Sequence, residues 1–367
     1  MRAVVVDANY GSVTAQELSQ IQSAYSAAGI DLTLHHLTTE QEIISECQGT
    51  MAILATGNPP LTRSVLEALP DLKFIQRFGI GVNSIDLEAA AQREVVVLNL
   101  PGFCVRELAD LAASMILGLI RNTGYYDREI RKGGWPKCQY FLPGDIRKMT
   151  LGLYGFGGAA QQLCHIFQGG FGTKVIACDP YLADTVKQQF PDVEFVTFHD
   201  LLSRSDIISI HVNLTPETTH VFRRDTFCKM KNSAMIINTA RGAVIDQKDL
   251  VWALEHGQIR YAGLDTLEQE PIAPDDPLLH MDNVILTPHS GSYGAGAKQI
   301  SWTWYASLSR RPLRKTSFLP AVWQTGHSSV IRSAINSHRN RTIRIWRSLS
   351  CHLDAESSKP FPAPHPT

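Results

Sequence analysis

The chain has 367 residues, enough for two domains with substantial cores, with 44% hydrophobic and 19% charged residues, as in soluble α/β proteins. Its net charge of −1 conceals an asymmetry, a balance of +9 over residues 292–367 against −10 over the remainder. No run reaches the roughly 20 apolar residues of a membrane span, and the seven scattered cysteines contain no C-x-x-C pair for a zinc site or disulfide framework. The opening Met-Arg-Ala-Val-Val-Val-Asp has no signal-peptide pattern, so a reducing, cytoplasmic setting is expected.

In chain order, Ala3–Val6, Leu32–Leu37, Met51–Ala55, Phe74–Phe78 and Val95–Asn99 read as strands, most of them rich in β-branched or aromatic residues. Between them, Thr14–Ala28, Glu40–Cys47, Thr62–Leu69 and Asp86–Gln92 carry apolar residues at helical spacing. Thr14 and Glu17 suggest a capping box, and Gly29 a stop. Cys104–Leu119 reads as a long apolar helix and Tyr125–Lys132 as a charged one, together bridging two domains. A second series places strands at Thr150–Tyr154, Lys174–Cys178, Ile207–His211, Ala234–Asn238, Tyr261–Leu264 and Val284–Leu286. Its helices include Ala159–Gln168, Phe198–Ser203 and Gln247–His256. Alternation of this kind specifies an α/β fold of two Rossmann-like, doubly wound parallel-sheet domains.

The strand at Thr150 runs into Gly155-Phe156-Gly157-Gly158-Ala159-Ala160 and a helix, a G-x-G-x-x-A pattern. The first glycine permits the tight turn, the second lets backbone approach a pyrophosphate, and the third small residue packs helix on strand. The helix N-terminus adds unpaired N–H groups and a favourable dipole. Asp179, ending the next strand, would accept from a ribose hydroxyl and repel a 2′-phosphate, so NAD is the expected cofactor; the alternative is an Asp that caps the turn at Pro180. Asn213, Leu214, Thr239, Ala240 and Asp265 follow strands at the end where ligands bind, Asp265 being placed for the nicotinamide carboxamide. Gly291 is added to this set. His211, ending a buried strand, reads either as a core residue or as a functional one.

Arg241 in N-T-A-R-G, Glu270 in L-E-Q-E-P and His289 in L-T-P-H-S-G make a third constellation. A guanidinium clamps a planar carboxylate through two parallel bonds. A histidine moves a proton near neutrality, and a glutamate bonded to it orients the ring and favours its charged form. The alternative is three unrelated surface charges. Three such groups downstream of a dinucleotide fingerprint point to a dehydrogenase.

With Phe78-Gly79-Ile80-Gly81-Val82-Asn83-Ser84-Ile85-Asp86, Asp179-Pro180-Tyr181, His211 through Thr218 and Asp265 through Pro271, residues 1–293 resemble the D-isomer-specific 2-hydroxyacid dehydrogenases. The resemblance implies that Arg241 binds the substrate carboxylate with the amides of Ile80 and Gly81, that His289 is the general acid/base and that Glu270 is its partner. It also implies a homodimer formed through the NAD domain, and a substrate domain of 1–103 followed by an NAD domain of 104–293. Neither a metal, nor specific nucleic-acid binding, nor a membrane is expected. Ala160 stands where a third glycine is commoner, and Asn213 where a proline is usual.

The greatest departure is 294–367, where the family's returning helix should lie. From residue 292 onward there are eleven Lys/Arg against Asp354 and Glu356, with Trp302, Trp304, Trp323 and Trp346. Apart from a weak helix expected at 297–308, this reads as a largely disordered basic tail, either a functional arm or the trace of a shifted reading frame. Rival readings of the whole chain are a nonenzymatic, NAD-sensing protein similar to the family's corepressors, and an inactive product of that frame disruption.

Overall fold

In the computed structural model the described residues are 1–6, 14–137 and 144–297. The chain divides into compact units of Met1–Arg311 and Pro312–Thr367, and the second lies outside the described residues. So do the tail beyond Ala297 and the Glu17 side chain of the expected capping box.

The first half alternates β1 (Arg2–Val6), α1 (Ala15–Ala27), β2 (Asp31–His35), α2 (Glu40–Glu46), β3 (Ala52–Ala55), α3 (Arg63–Ala68), β4 (Phe74–Arg77), α4 (Leu87–Gln92) and β5 (Val96–Leu98). The five strands pair in parallel in the order β2-β1-β3-β4-β5. Val4, Val6, Ile53, Ile75, Val65 and Leu66 fill the core beneath. Helix boundaries follow side-chain capping. Thr39 and Glu42 form a reciprocal capping box that opens α2. Asp86 accepts from the Ala89 amide to open α4. Gly29, with φ 73°, closes the turn after α1.

Two helices, α5 (Val105–Arg121) and α6 (Thr123–Arg131), lead to the second series. This comprises β6 (Thr150–Tyr154), α7 (Gly158–Phe171), β7 (Lys174–Cys178), α8 (Asp184–Lys187), β8 (Glu194–Phe195), α9 (Phe198–Arg204) and β9 (Ile207–Ile210). It continues through α10 (Arg224–Phe227), β10 (Met235–Asn238), α11 (Gln247–Glu255), β11 (Tyr261–Leu264) and β12 (Val284–Leu286). Its seven parallel strands run β12-β11-β10-β9-β6-β7-β8. The order reverses between β6 and β9, which opens the crevice where ligands enter such sheets. One face is packed by α5 and α7 through Ala112, Ile116, Leu163 and Phe167. The other is packed by α9 and α11 through Leu201, Leu202, Leu250 and Ala253.

The bridging role expected of α5 is therefore combined with membership of the second core. Packing also continues past Tyr293: Ala297 is buried and its N–H donates to Glu107 Oε1 of α5 at 3.1 Å. The composition change near Tyr293 therefore does not end the packed structure. Short β8, α8 and α10 went unanticipated, because two to four residues carry too little periodicity to register. No helix among the described residues is long and apolar enough to cross a membrane.

Candidate active site

The switch point is built by a close approach of backbone. Gly155, after β6, has φ 86°, and a Cβ there would stand 2.8 Å from the His211 carbonyl oxygen after β9. Gly157 is the N-cap of α7, which has no side-chain cap bond, and a Cβ on Gly157 would meet nothing within 4 Å. The N-terminus of α7 thus carries no side-chain cap, which leaves its first amides available to a dinucleotide's phosphates. Gly158 packs on Val105 of α5, where a Cβ would meet Val105 Cγ2 at 3.2 Å, and Ala160 is fully buried. The Asp179 carboxylate accepts from the Phe156 amide at 2.9 Å and the Tyr181 amide at 3.0 Å. Those two bonds fix it at the end of β7 beside the glycine loop. Residues and geometry fit NAD.

Around the rest of the crevice, the Asn213 carbonyl accepts from Thr218 Oγ1 at 2.7 Å. Leu214 packs at the edge of the second core, and Thr239 is buried. His211 Nε2 lies 2.8 Å from Ser209 Oγ, and burial pushes its pKa down to about 4. The ring is neutral and already bonded, which accords with the core alternative for this residue.

Arg241 follows β10 in a turn organised by Asn238. The Asn238 amide donates to the Arg241 carbonyl at 2.9 Å and its oxygen accepts from the Ala240 amide at 3.0 Å. The guanidinium reaches towards the first sheet. Its Nε donates to Asn83 Oδ1 at 3.3 Å and its Nη1 to the Ala240 carbonyl at 2.5 Å. A Cβ on Gly81 would overlap Nη2, so the Ile80–Gly81 backbone lies against the arginine because residue 81 has no side chain. Burial lowers the Arg241 pKa, and the Glu270 charge opposes that; a guanidinium keeps its charge regardless.

Glu270 joins His289 directly, Oε2 to Nδ1 at 2.8 Å, while Oε1 accepts from the Leu267 amide at 3.0 Å. Burial alone would raise the Glu270 pKa; the hydrogen bonds from His289 and Leu267, with the charges of His289 and Arg241, outweigh it and hold the carboxyl below its usual value. Glu270 therefore meets His289 Nδ1 as a carboxylate.

His289 itself sits at φ 54°, a left-handed backbone unusual for histidine. Asp265 supplies the reason. Its backbone carbonyl accepts from the His289 amide at 2.8 Å, and its carboxylate accepts from Thr287 Oγ1 at 2.5 Å and from the Ser290 and Gly291 amides at 2.7 and 2.9 Å. Asp265 and Gly291, both expected at the cofactor, are here joined to each other as the frame of the histidine loop. Sequence reading missed that frame, together with Asn83, Asn238 and Gly242. It also missed Cys104, whose buried thiol is pushed up to about 12 by desolvation and lies in the field of Arg241. A Cβ on Gly242 would overlap the Leu267 backbone, so the Arg241 turn and the Glu270 loop are stacked in direct contact. Among the described residues no group of three or more His, Cys, Asp or Glu could hold a metal ion.

Residues 113–291 match the family model for the NAD-binding domain of D-isomer-specific 2-hydroxyacid dehydrogenases. The chain is 36% identical over 277 residues to a hydroxypyruvate reductase of Thermotoga maritima, covering 74% of this chain and 87% of that one. It is 35% identical over 277 residues to a D-3-phosphoglycerate dehydrogenase of Methanocaldococcus jannaschii, covering 75% of this chain but only 52% of that one; it spans about half of that longer relative. A D-lactate dehydrogenase of Aquifex aeolicus, solved with NAD and lactic acid, superposes with a TM-score of 0.75 at 25% identity over 84% of this chain and 94% of that one. The chain belongs to the D-isomer-specific 2-hydroxyacid dehydrogenase family of NAD-dependent oxidoreductases.

Proposed function

We propose that the protein interconverts a D-2-hydroxy acid and its 2-oxo acid, with Arg241 clamping the carboxylate and His289 moving the proton. The observation that carries this reading is the 2.8 Å bond from Glu270 to His289 Nδ1, held on loops at the same end of the second sheet as the Gly155 turn. Bound NAD supplies the hydride acceptor or donor. In the reducing direction, the Arg241 guanidinium and the Ile80 and Gly81 amides hold the carboxylate, which fixes the keto group beside His289. Protonated His289 gives its Nε2 proton to the keto oxygen as C2 gains the hydride, and Glu270 stabilises the imidazolium before that transfer. In oxidation the neutral imidazole takes the hydroxyl proton. Asp179 gives preference for NAD over NADP through the ribose hydroxyls. Residues 1–103 serve as the substrate part and 104–293 as the cofactor part, in a cytoplasmic homodimer.

The test is NADH oxidation by the purified protein across a panel of 2-oxo acids. Turnover of at least one acid that disappears in His289→Ala supports the proposal. A protein that binds NADH tightly yet reduces none of the acids would instead be a cofactor-sensing interaction protein.

A further inference from the structure

Glu270 stands in the segment that follows β11, and its Oε1 is held by the Leu267 amide. The place of that carboxylate therefore depends on where residues 267–269 lie. A second carboxylate in the same segment fixes them. Glu268 Oε2 accepts from the amide of Gln247, the first residue of α11, at 3.1 Å, and the Glu268 amide donates back to Gln247 Oε1 at 3.3 Å. Gln247 Nε2 in turn donates to Asp276 Oδ2 at 2.6 Å. Glu270 thus sits on a span pinned on both sides to the start of α11, a helix of the second core.

The other oxygen, Glu268 Oε1, meets Nε2 of His220, whose Nδ1 lies 3.8 Å from Asp246 Oδ2. His220 has φ 50°, a left-handed backbone that few residues other than glycine adopt. Its amide donates to the Ala243 carbonyl, two residues past Arg241, at 2.8 Å. The backbone of His220 therefore holds the Arg241 turn while its ring holds the Glu270 segment. It also directly follows the turn in which Thr218 Oγ1 donates to the Asn213 carbonyl and Thr219 Oγ1 to that of Thr215 at 2.8 Å.

We infer that His220 and Glu268 are positioning residues for the proton relay. The pair fixes the Leu267 amide, and through it the Glu270 carboxylate against His289. The inference rests on the 2-oxo acid reaction proposed above and adds to it two residues that act through Glu270. Both side chains are partly exposed, 42% for His220 and 30% for Glu268. An ion pair so placed adds little to stability. Its removal should therefore separate catalysis from folding.

The experiment uses the purified full-length chain with saturating NADH and whichever of glyoxylate, hydroxypyruvate and pyruvate it reduces fastest. His220→Ala and Glu268→Ala should each lower kcat by about tenfold or more, the cost of a displaced catalytic group. The His220 amide bond to Ala243 survives both substitutions. Kd for NADH should accordingly change by less than about twofold and Tm by less than about 3 °C. His220→Gln, whose side-chain amide donates to Glu268 Oε1, should restore kcat to within about threefold of the parent. The double variant should lose no more than Glu268→Ala alone, because the two residues act as one unit. A parental kcat in either alanine variant, additive losses in the double variant, or a His220→Gln no better than His220→Ala overturns the inference. So does a loss of NADH affinity as large as the loss of kcat. If Glu268→Ala does not fold, the two His220 variants decide. Should the parent reduce no acid, the proposed reaction fails, and positioning is read from hydrogen exchange across residues 265–270. Exchange at the Leu267 amide about tenfold faster in His220→Ala than in the parent supports it; parental exchange overturns it.

Discussion

At the residue scale the site depends on which partner each charge finds. His289→Ala should lower kcat by about 10²–10⁴, the usual contribution of a positioned acid or base. Glu270→Gln removes the carboxylate that holds His289 Nδ1, so kcat for 2-oxo acid reduction should fall by about tenfold or more while NADH affinity stays unchanged. A kcat in Glu270→Gln equal to the parent's would take Glu270 out of the relay. His211 gives the contrasting case of a histidine used for packing. With the folded ring protonating only near pH 4 and an unfolded one near about 6.5, unfolding takes up a proton between those values. The neutral ring's contribution is therefore complete above pH 6.5 and lost as the pH falls towards 4. His211→Gln should flatten the difference in urea stability across that window by about 1–3 kcal/mol. Parallel pH curves for parent and variant would show that His211 titrates normally.

At the scale of elements, the site is an agreement between loops. The Arg241 turn rests on Leu267 and Glu268 only because residue 242 is glycine, and the Glu270 loop returns to the histidine loop through the Glu270–His289 bond. Gly242→Ala must separate the first pair, and that displacement reaches carboxylate and imidazole together. We expect a rise in KM along with a fall in kcat of about 10²-fold, since near-ångström misplacement costs that much in orientation. Steady-state kinetics with NADH saturating checks this, and a change in KM alone would mean that the two loops move independently. The motifs were legible in the sequence because each follows a clear strand. Their mutual contacts were not, since the Asn238 and Asp265 side chains bond, and Gly242 abuts, main-chain groups that carry no pattern of their own.

For the whole molecule the governing fact is the linkage of folding to cofactor. NADH binding the native state alone should raise stability by about 2.7 kcal/mol at a hundredfold excess over Kd, and NADPH should do so far less. Asp179→Ala should narrow the gap between the two cofactors in both melting temperature and turnover. Equal stabilisation by NADPH in the unmodified protein would refute the role given to Asp179.

What the sequence determined by itself was whatever depends on local periodicity: two series of parallel strands, the Gly155 turn and the order Arg241, Glu270, His289. Those features follow from apolar alternation and glycine geometry within a few residues, so no distant contact is needed to specify them. The tertiary structure alone decided how the charges are used. Arg77, a cation at the mouth of the first sheet, is held by main-chain carbonyls. Asp265, a carboxylate at the end of a strand, frames the histidine loop. Gly294–Ala297, past the point where composition changes, continues the packing against α5. In each instance the deciding partner lies on another element, and a hydrogen bond's geometry, unlike a helix's period, leaves no trace in the spacing of residues along the chain.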